Sequence, residues 1–254
     1  MRTVERADGQ VATGISAGSL RSVTARFAGH TFLPSLMGAA NVVLDIGANQ
    51  GQFTRAMALN FGCKVHAVEP NPNLCAELQE LAIPGVTVHA VALADTRGPR
   101  SFVLMNNSES SHFGVTKNSS ETVVQVEGVT LEDLISEIPG TGFDLIKMDV
   151  EGAELGVLEC VPVRVLERVR QLTVEFHQFM YPESRLRIEA VKQRFLDAGF
   201  WVIDLSRTNY DVLFVHPNVR PSPAMRALVL CEKYRRQAKR GLSHWFGSRY
   251  DQVI

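Results

Sequence analysis

The chain has 254 residues, a net charge of −1, 45% apolar residues and 21% charged residues. That length and apolar share support one α/β domain with extensions rather than a disordered chain, and the near-zero charge excludes a nucleic-acid polycation. Cys63, Cys75, Cys160 and Cys231 are too far apart in sequence for a zinc knuckle or a Cys-x-x-Cys pair. The opening "MRTVERADGQVATGIS" lacks an apolar core and no run is long enough to span a bilayer, so the expectation is a soluble protein of the reducing cytoplasm.

Residues 1–40 are weakly patterned, and "SLRSVTARFAGHTFLPSLMGAA" reads as an amphipathic helix broken near Pro34, an N-terminal helical extension. A regular alternation begins at residue 41. "NVVLDIG" predicts a buried strand and "GQFTRAMALNF" a helix. "KVHAVEP" predicts a second strand and "NPNLCAELQELA" a helix with proline in its first turn. "GVTVHAVALAD" predicts a third strand. Strands and helices alternating at these spacings predict a mostly parallel sheet with right-handed crossovers.

The alternation then pauses. "GPRSFVLMN" and "ETVVQVEGV" predict two strands around the polar stretch "NSESSHFGVTKNSS", a hairpin-like insertion between the third and fourth strands of the sheet. "TLEDLISEI" predicts a short helix with Thr130 as N-cap and Asp133 in the capping-box position. "FDLIKMDVEGAE", "VRQLTVEFH", "FWVIDLS" and "YDVLFVHP" supply four further strands, for seven in all, over a domain of residues 41–216. From residue 217 the chain is helical in period and basic.

Three features carry chemistry. The turn Gly47-x-Asn49-x-Gly51 falls at the carboxyl end of the first strand, where open α/β sheets bind ligands, and Glu69 ends the second strand with a carboxylate suited to ribose hydroxyls. NAD and S-adenosylmethionine share those needs. Asn49 occupies the slot where a dinucleotide fold brings pyrophosphate against bare backbone, and Asp45 would repel a phosphate while welcoming a cationic amino group. The turn therefore favours S-adenosylmethionine over an NAD-linked oxidoreductase; a non-catalytic nucleotide-binding module stays open as an alternative.

The second feature is a set of titratable groups at the ends of the fourth and fifth strands. Lys147, Asp149 and Glu151 share one face, as do Glu175 and His177. His177 is the candidate general base, held in its tautomer by Glu175 or Glu151, and the bland alternative is a histidine bonded to backbone. The same acids with His177 also suit Mg²⁺ or Mn²⁺, although a metal-free site is the favoured expectation. Lys147 is expected to pair with Asp144 or Glu151. The third feature is the polar tip, where Ser108, Ser110, Ser111 and His112 offer donors and acceptors to a hydroxylated ligand, with Phe179 and Tyr181 as flat faces after the fifth strand.

"LDIGANQGQFT", "AVEPNP", "VALAD" and "DLIKMDVEGAELGVLEC" together resemble the FkbM family of S-adenosylmethionine-dependent methyltransferases, over about residues 41–216. The resemblance implies the Rossmann-like class I methyltransferase fold, a seven-stranded sheet whose last strand is antiparallel. It implies that Asp45, Gly47, Asn49 and Gly51 surround the methionine end, that Glu69 holds the ribose and Pro70 lines the adenosine. Ala92 and Leu93 would border adenine, and Asp149 would face the sulfonium. O-methylation of a hydroxyl on a sugar, glycolipid or glycosylated secondary metabolite is what the resemblance implies for activity, with a small hydroxylated acceptor and no nucleic acid as partner. The basic tail, rich in Arg and Lys from Arg220 to Arg249, suits an anionic membrane surface, a dimer contact or plain solvation, and the oligomeric state is left open.

Overall fold

The computed structural model describes residues 23–37, 42–104, 112–113, 122–140, 142–178, 181–206, 209–219 and 221–247, with side chains described to residue 235 and not at 112–113. The described residues open with a hairpin, β1 (Ala25–Phe27) and β2 (His30–Phe32), followed by a 3₁₀ turn at Pro34–Leu36. This corrects the helix expected there. Ala28 and Gly29 both have positive φ, as a two-residue type I′ hairpin turn requires, and the short strands gain burial against the domain that a free amphipathic helix would lack.

The large sheet is built from β3 (Val42–Ile46), β4 (Lys64–Val68), β5 (Val86–His89), β10 (Leu145–Met148), β11 (Gln171–Val174), β12 (Trp201–Asp204) and β13 (Val212–Val215). Its order is β12-β13-β11-β10-β3-β4-β5, with β13 antiparallel to its neighbours and the other strands parallel. The seven strands and the antiparallel last one agree with expectation. Strand order reverses between β3 and β10, so the crevice at their carboxyl ends is the place where such a sheet accepts a ligand. The strands β3, β10, β11 and β13 are buried almost throughout, which explains why they read as continuous apolar runs.

The expected third strand divides in two. After His89 the chain leaves the large sheet, and β6 (Ala92–Leu93) pairs instead with β9 (Thr122–Val129). With β7 (Gly98–Leu104) and β8 (His112–Phe113) these make a second, four-stranded sheet of order β6-β9-β7-β8. The insertion is thus the antiparallel β7–β9 pair that the sequence predicts, widened by one strand on each side.

Helices α1 (Gln52–Phe61), α2 (Pro72–Glu80), α3 (Leu131–Glu137), α4 (Glu154–Cys160) and α5 (Arg185–Asp197) fill the crossovers. Thr130 and Asp133 form the full capping box, each side chain bonded to the other's backbone N–H at 3.1 and 3.0 Å. The main core joins Ile46, Ile146, Met148, Leu172 and Val174 to Leu158, Phe195 and Phe214. The hairpin is part of a second cluster, with Phe32 packed on Phe53 and Phe61. The C-terminal helix α6 (Pro223–Gly247) docks through Val229 on Leu213 and Val215. Among the described residues no helix is long and apolar enough to cross a membrane.

Candidate functional site

The turn after β3 is held from within the protein. Gly47 and Ala48 donate their N–H groups to Val68 O at 2.9 and 3.0 Å, and Gly51 donates to Ala48 O at 2.8 Å. Asn49 N–H is taken by Glu69 Oε2 at 2.8 Å, while Glu69 Oε1 accepts from Asn71 N–H at 2.9 Å. Burial pushes the Glu69 carboxyl upward against those two backbone donors.

The glycines are needed for packing as well as for dihedrals. At Gly47, φ is 78° and a Cβ would stand 1.7 Å from the Asp149 carbonyl oxygen; at Gly51, φ is 75° and it would stand 2.4 Å from Leu78 Cδ2. The bare backbone expected to face a ligand faces the neighbouring strand end and helix instead. Asn49 sits at φ 49°, a left-handed position that asparagine tolerates better than most residues.

Beneath the turn lies a buried ion network. Lys147 Nζ stands 3.3 Å from Asp45 Oδ1 and 3.5 Å from Asp149 Oδ2, and donates to Gly47 O at 2.5 Å. The partner expected for Lys147, Asp144 or Glu151, is replaced by these three, and Asp144 pairs with Arg170. Burial opposes the Lys147 charge, yet Asp45 and Asp149 together raise its pKa. Asp45 is fully buried, its second oxygen accepting from Thr54 Oγ1 at 2.6 Å. Both Asp45 oxygens, expected to meet a cofactor, thus lie against the protein's own groups, a lysine at ion-pair distance and a threonine hydroxyl.

The strand ends of β10 and β11 bring together the residues expected for catalysis. Asp149 is 27% exposed; burial favours its neutral form, but Lys147 and the nearby histidines hold its carboxyl well below the usual range. Glu151 adopts a positive φ of 53°, a strain of about 1–3 kcal/mol for a non-glycine residue, and this bend aims its carboxylate at His177 Nε2, 3.3 Å away. Asp149 Oδ1 and Glu175 Oε1 lie 3.7 and 3.8 Å from the same nitrogen.

The other ring nitrogen, Nδ1, meets Glu154 Oε1 at 2.9 Å. Glu154 is 1% exposed and locked by the N–H groups of Val150 and Gly152 at 2.8 and 3.0 Å. It is thus Glu154, rather than Glu175 or Glu151, that orients the imidazole. Burial disfavours the charged ring, but the hydrogen bond to Glu154 and the charges of Glu154, Glu151 and Asp149 push His177 up to about 9. Burial and the Asp149 charge push Glu175 up to about 7.

A cavity of about 680 Å³ opens beside this cluster. His177, Glu154, Gly152, Leu93, Arg100 and Tyr181 are among the residues that line it. Tyr181 is 45% exposed and its ring lies where a Gly152 Cβ would come within 3.0 Å.

Residues 45–202 match the methyltransferase FkbM domain. The chain belongs to the FkbM methyltransferase family. Its match covers the β3 turn, the strand-end cluster and most of the large sheet. Hexuronic acid methyltransferase AglP of Haloferax volcanii is 30% identical over 149 residues, 57% of this chain and 59% of that protein. The chain thus aligns with little more than half the length of this curated relative. Among solved structures, the fibrillarin pre-rRNA processing protein of Methanococcus jannaschii overlays with a TM-score of 0.43 at 12% identity, covering 84% of this chain and 80% of that one. An rRNA methylase from Streptococcus thermophilus gives 0.40 at 12%, covering 72% and 90%. At that distance these overlays add nothing to the topology described above.

Several expected residues of this FkbM chain take other places. Ala92 and Leu93 are buried in β6 of the smaller sheet, not at the end of a third strand of the large one; Leu93 reaches the cavity wall. Pro70 is half-buried after β4. Ser108, Ser110, Ser111 and Phe179 lie outside the described residues, as do Arg220 and Arg249, and His112 is described only as part of β8.

Two residues were not anticipated. Glu154 was legible as the acid following the Glu151-Gly152 turn into a helix. His30 had no sequence signal, because only the hairpin's docking brings its Nε2 to 3.5 Å from Asp149 Oδ2 and 3.8 Å from Glu175 Oε2.

Proposed function

We propose that this chain methylates a hydroxyl of a sugar or glycosylated metabolite, with S-adenosylmethionine as donor. The observation that carries the choice of cofactor is the saturated turn. The N–H groups of Gly47, Ala48, Asn49 and Gly51 all have protein acceptors, so none of the four is free to cradle a pyrophosphate. A phosphate-free adenosyl donor needs no such cradle. This disfavours the NAD reading on firmer ground than side-chain bulk at Asn49.

The residues present fit the cofactor. Each Glu69 oxygen has spent one acceptor site on backbone, leaving further lone pairs for ribose hydroxyls. Asp149, anionic and partly exposed at the switch point, takes the place expected for Asp45 toward a cationic donor. When bound, the donor supplies an electrophilic methyl group on a sulfonium.

The chain's own part is to hold the acceptor and take its proton. The cavity of about 680 Å³ accommodates a sugar unit, and Tyr181 in its lining offers an aromatic face. His177 Nε2 faces the cluster at the cavity wall, and Glu154 fixes the ring through Nδ1. His177 is then the base for the hydroxyl proton, a role worth about 10²–10⁴-fold. The hexuronic acid named for the Haloferax volcanii relative is one acceptor to test. Arg100 and Arg187 beside the cavity are already engaged, by Thr96 with Asp95 and by Glu159, so a neutral sugar fits as well as an acidic one.

Titration calorimetry with S-adenosylhomocysteine and with NAD tests the cofactor reading. Heat of binding from the first and none from the second is expected; the reverse overturns it. A screen of neutral sugars, uronic acids and their lipid conjugates, read by methyl incorporation, then tests the acceptor.

A further inference from the structure

We propose that His30, Asp149 and Glu175 form a binding site for one divalent cation of the first transition row. The binding claim stands apart from the methyl-transfer reading and needs no acceptor or donor to be tested.

His30 carries the argument. It is fully buried, and neither ring nitrogen has a hydrogen-bond partner. A buried imidazole with no hydrogen bond has lost its hydration without replacement. Its Nε2 is aimed at two carboxylate oxygens, 3.5 Å from Asp149 Oδ2 and 3.8 Å from Glu175 Oε2, and the three ligand atoms lie within 4.8 Å of one another. Those gaps are long for hydrogen bonds. A cation bonded at about 2.0–2.2 Å to each atom would close them by only a few tenths of an ångström.

The fold holds His30 in this place rigidly. Thr31 bonds Asp211 through both N–H and Oγ1, at 3.1 and 2.7 Å, and Leu33 exchanges two hydrogen bonds with Gln171 at 2.8 and 3.2 Å. The imidazole edge also packs on Phe53. A hairpin clamped at two positions that follow one buried histidine is how a ligand is preorganised.

Charge balance agrees. Asp45, Asp149, Glu151, Glu154 and Glu175 converge in one network, and among the described residues Lys147 and the protonated His177 are the cations that pair with these five carboxylates. A divalent cation would offset an excess of negative charge in a largely buried place. One imidazole nitrogen with two carboxylate oxygens suits Mn²⁺, Fe²⁺ or Zn²⁺. The neighbouring set of Asp149, Glu151 and His177 also lies within 4.8 Å, but there His177 is already engaged by Glu154 and Glu151.

The test uses the full chain, stripped with EDTA and titrated with Mn²⁺, the loss of the free-ion electron paramagnetic resonance signal reporting binding. One site is expected, weakened at least about tenfold in His30→Gln and in Glu175→Gln, each checked for folding by circular dichroism. Pulsed resonance on the loaded wild type should show imidazole nitrogen coupling that persists in His177→Gln. Absence of binding at millimolar Mn²⁺ overturns the proposal. So does binding, or nitrogen coupling, that disappears in His177→Gln and survives in His30→Gln.

Discussion

The turn after β3 and the cluster at the ends of β10 and β11 lie side by side in one crevice, yet they are built on opposite principles. In the turn each backbone donor named above has a protein acceptor, and the Asp45 charge is buried against Lys147. In the cluster, carboxylates crowd two histidines, Glu151 holds a strained backbone, and the pKa values of Glu175 and His177 are displaced upward. The first region is scaffold, its chemistry spent on holding a shape. The second stores unbalanced charge and strain, which is where chemistry is performed.

The contrast breaks most visibly at Gly47. A methyl group there would overlap the Asp149 carbonyl at 1.7 Å, and φ of 78° is unfavourable for any side chain. Backbone meets backbone, so no rotamer change relieves it. Gly47→Ala is expected to cost more than about 3 kcal/mol, read as a large drop in the denaturation midpoint and loss of cofactor binding together. His177→Ala is the counterpart on the other side. It should leave the fold standing and lower kcat by about 10²–10⁴-fold. If Gly47→Ala were well folded, or His177→Ala turned over normally, the division between scaffold and chemistry would fail.

That division also explains how much could be read in advance. The large sheet was legible because its central strands are buried on both faces and therefore read as apolar runs, and the α3 cap was legible because Thr130 and Asp133 are local in sequence. Asp149, Glu151, Glu175 and His177 were legible because they follow two apolar runs at alternate sequence positions, although the structure places all four just past the ends of β10 and β11, where Glu151 turns left-handed. Whatever depends on distant docking was not. The β1–β2 hairpin passed for a helix because its pairing is shorter than any periodicity window, and so His30 went unseen. β6 reads in sequence as a continuation of β5 because nothing local marks the change of sheet after His89. For Asp45, sequence gives the position at the strand end but not the Lys147 that lies against it.

The pH dependence of turnover sharpens the assignment of Glu154. A base must be unprotonated, and His177 holds its proton up to about 9. The rate, kcat/KM, should therefore rise with pH toward that value. Glu154→Gln removes the partner that does most to raise His177, so the rising limb should move to lower pH, by about one unit or more, while the plateau falls. A limb that stays in place would assign the titration to another group.

The smallest expected effect concerns stability, and it separates Glu175 from His177. Both bind protons more tightly when folded than when unfolded, so the stability they contribute must fall as pH rises. For Glu175 the contribution is complete below its ordinary value near 4.5 and is lost as pH climbs through about 7. For His177 it is complete below 6.5 and is lost through about 9. In thermal melts of the EDTA-stripped chain, the part carried by these two groups should decline in two overlapping stages, against a rise from His30, His66, His89 and His216, whose pKa values burial pushes down. Glu175→Gln, neutral at every pH, should flatten the first stage and keep the second; His177→Ala should do the reverse. A wild-type curve that instead ran parallel to that of Glu175→Gln between pH 5 and 8 would mean that Glu175 takes up no proton on folding. The crowding of carboxylates around Asp149 would then be relieved by some other charge, and the cluster would be a structural ion network like the one beneath the turn.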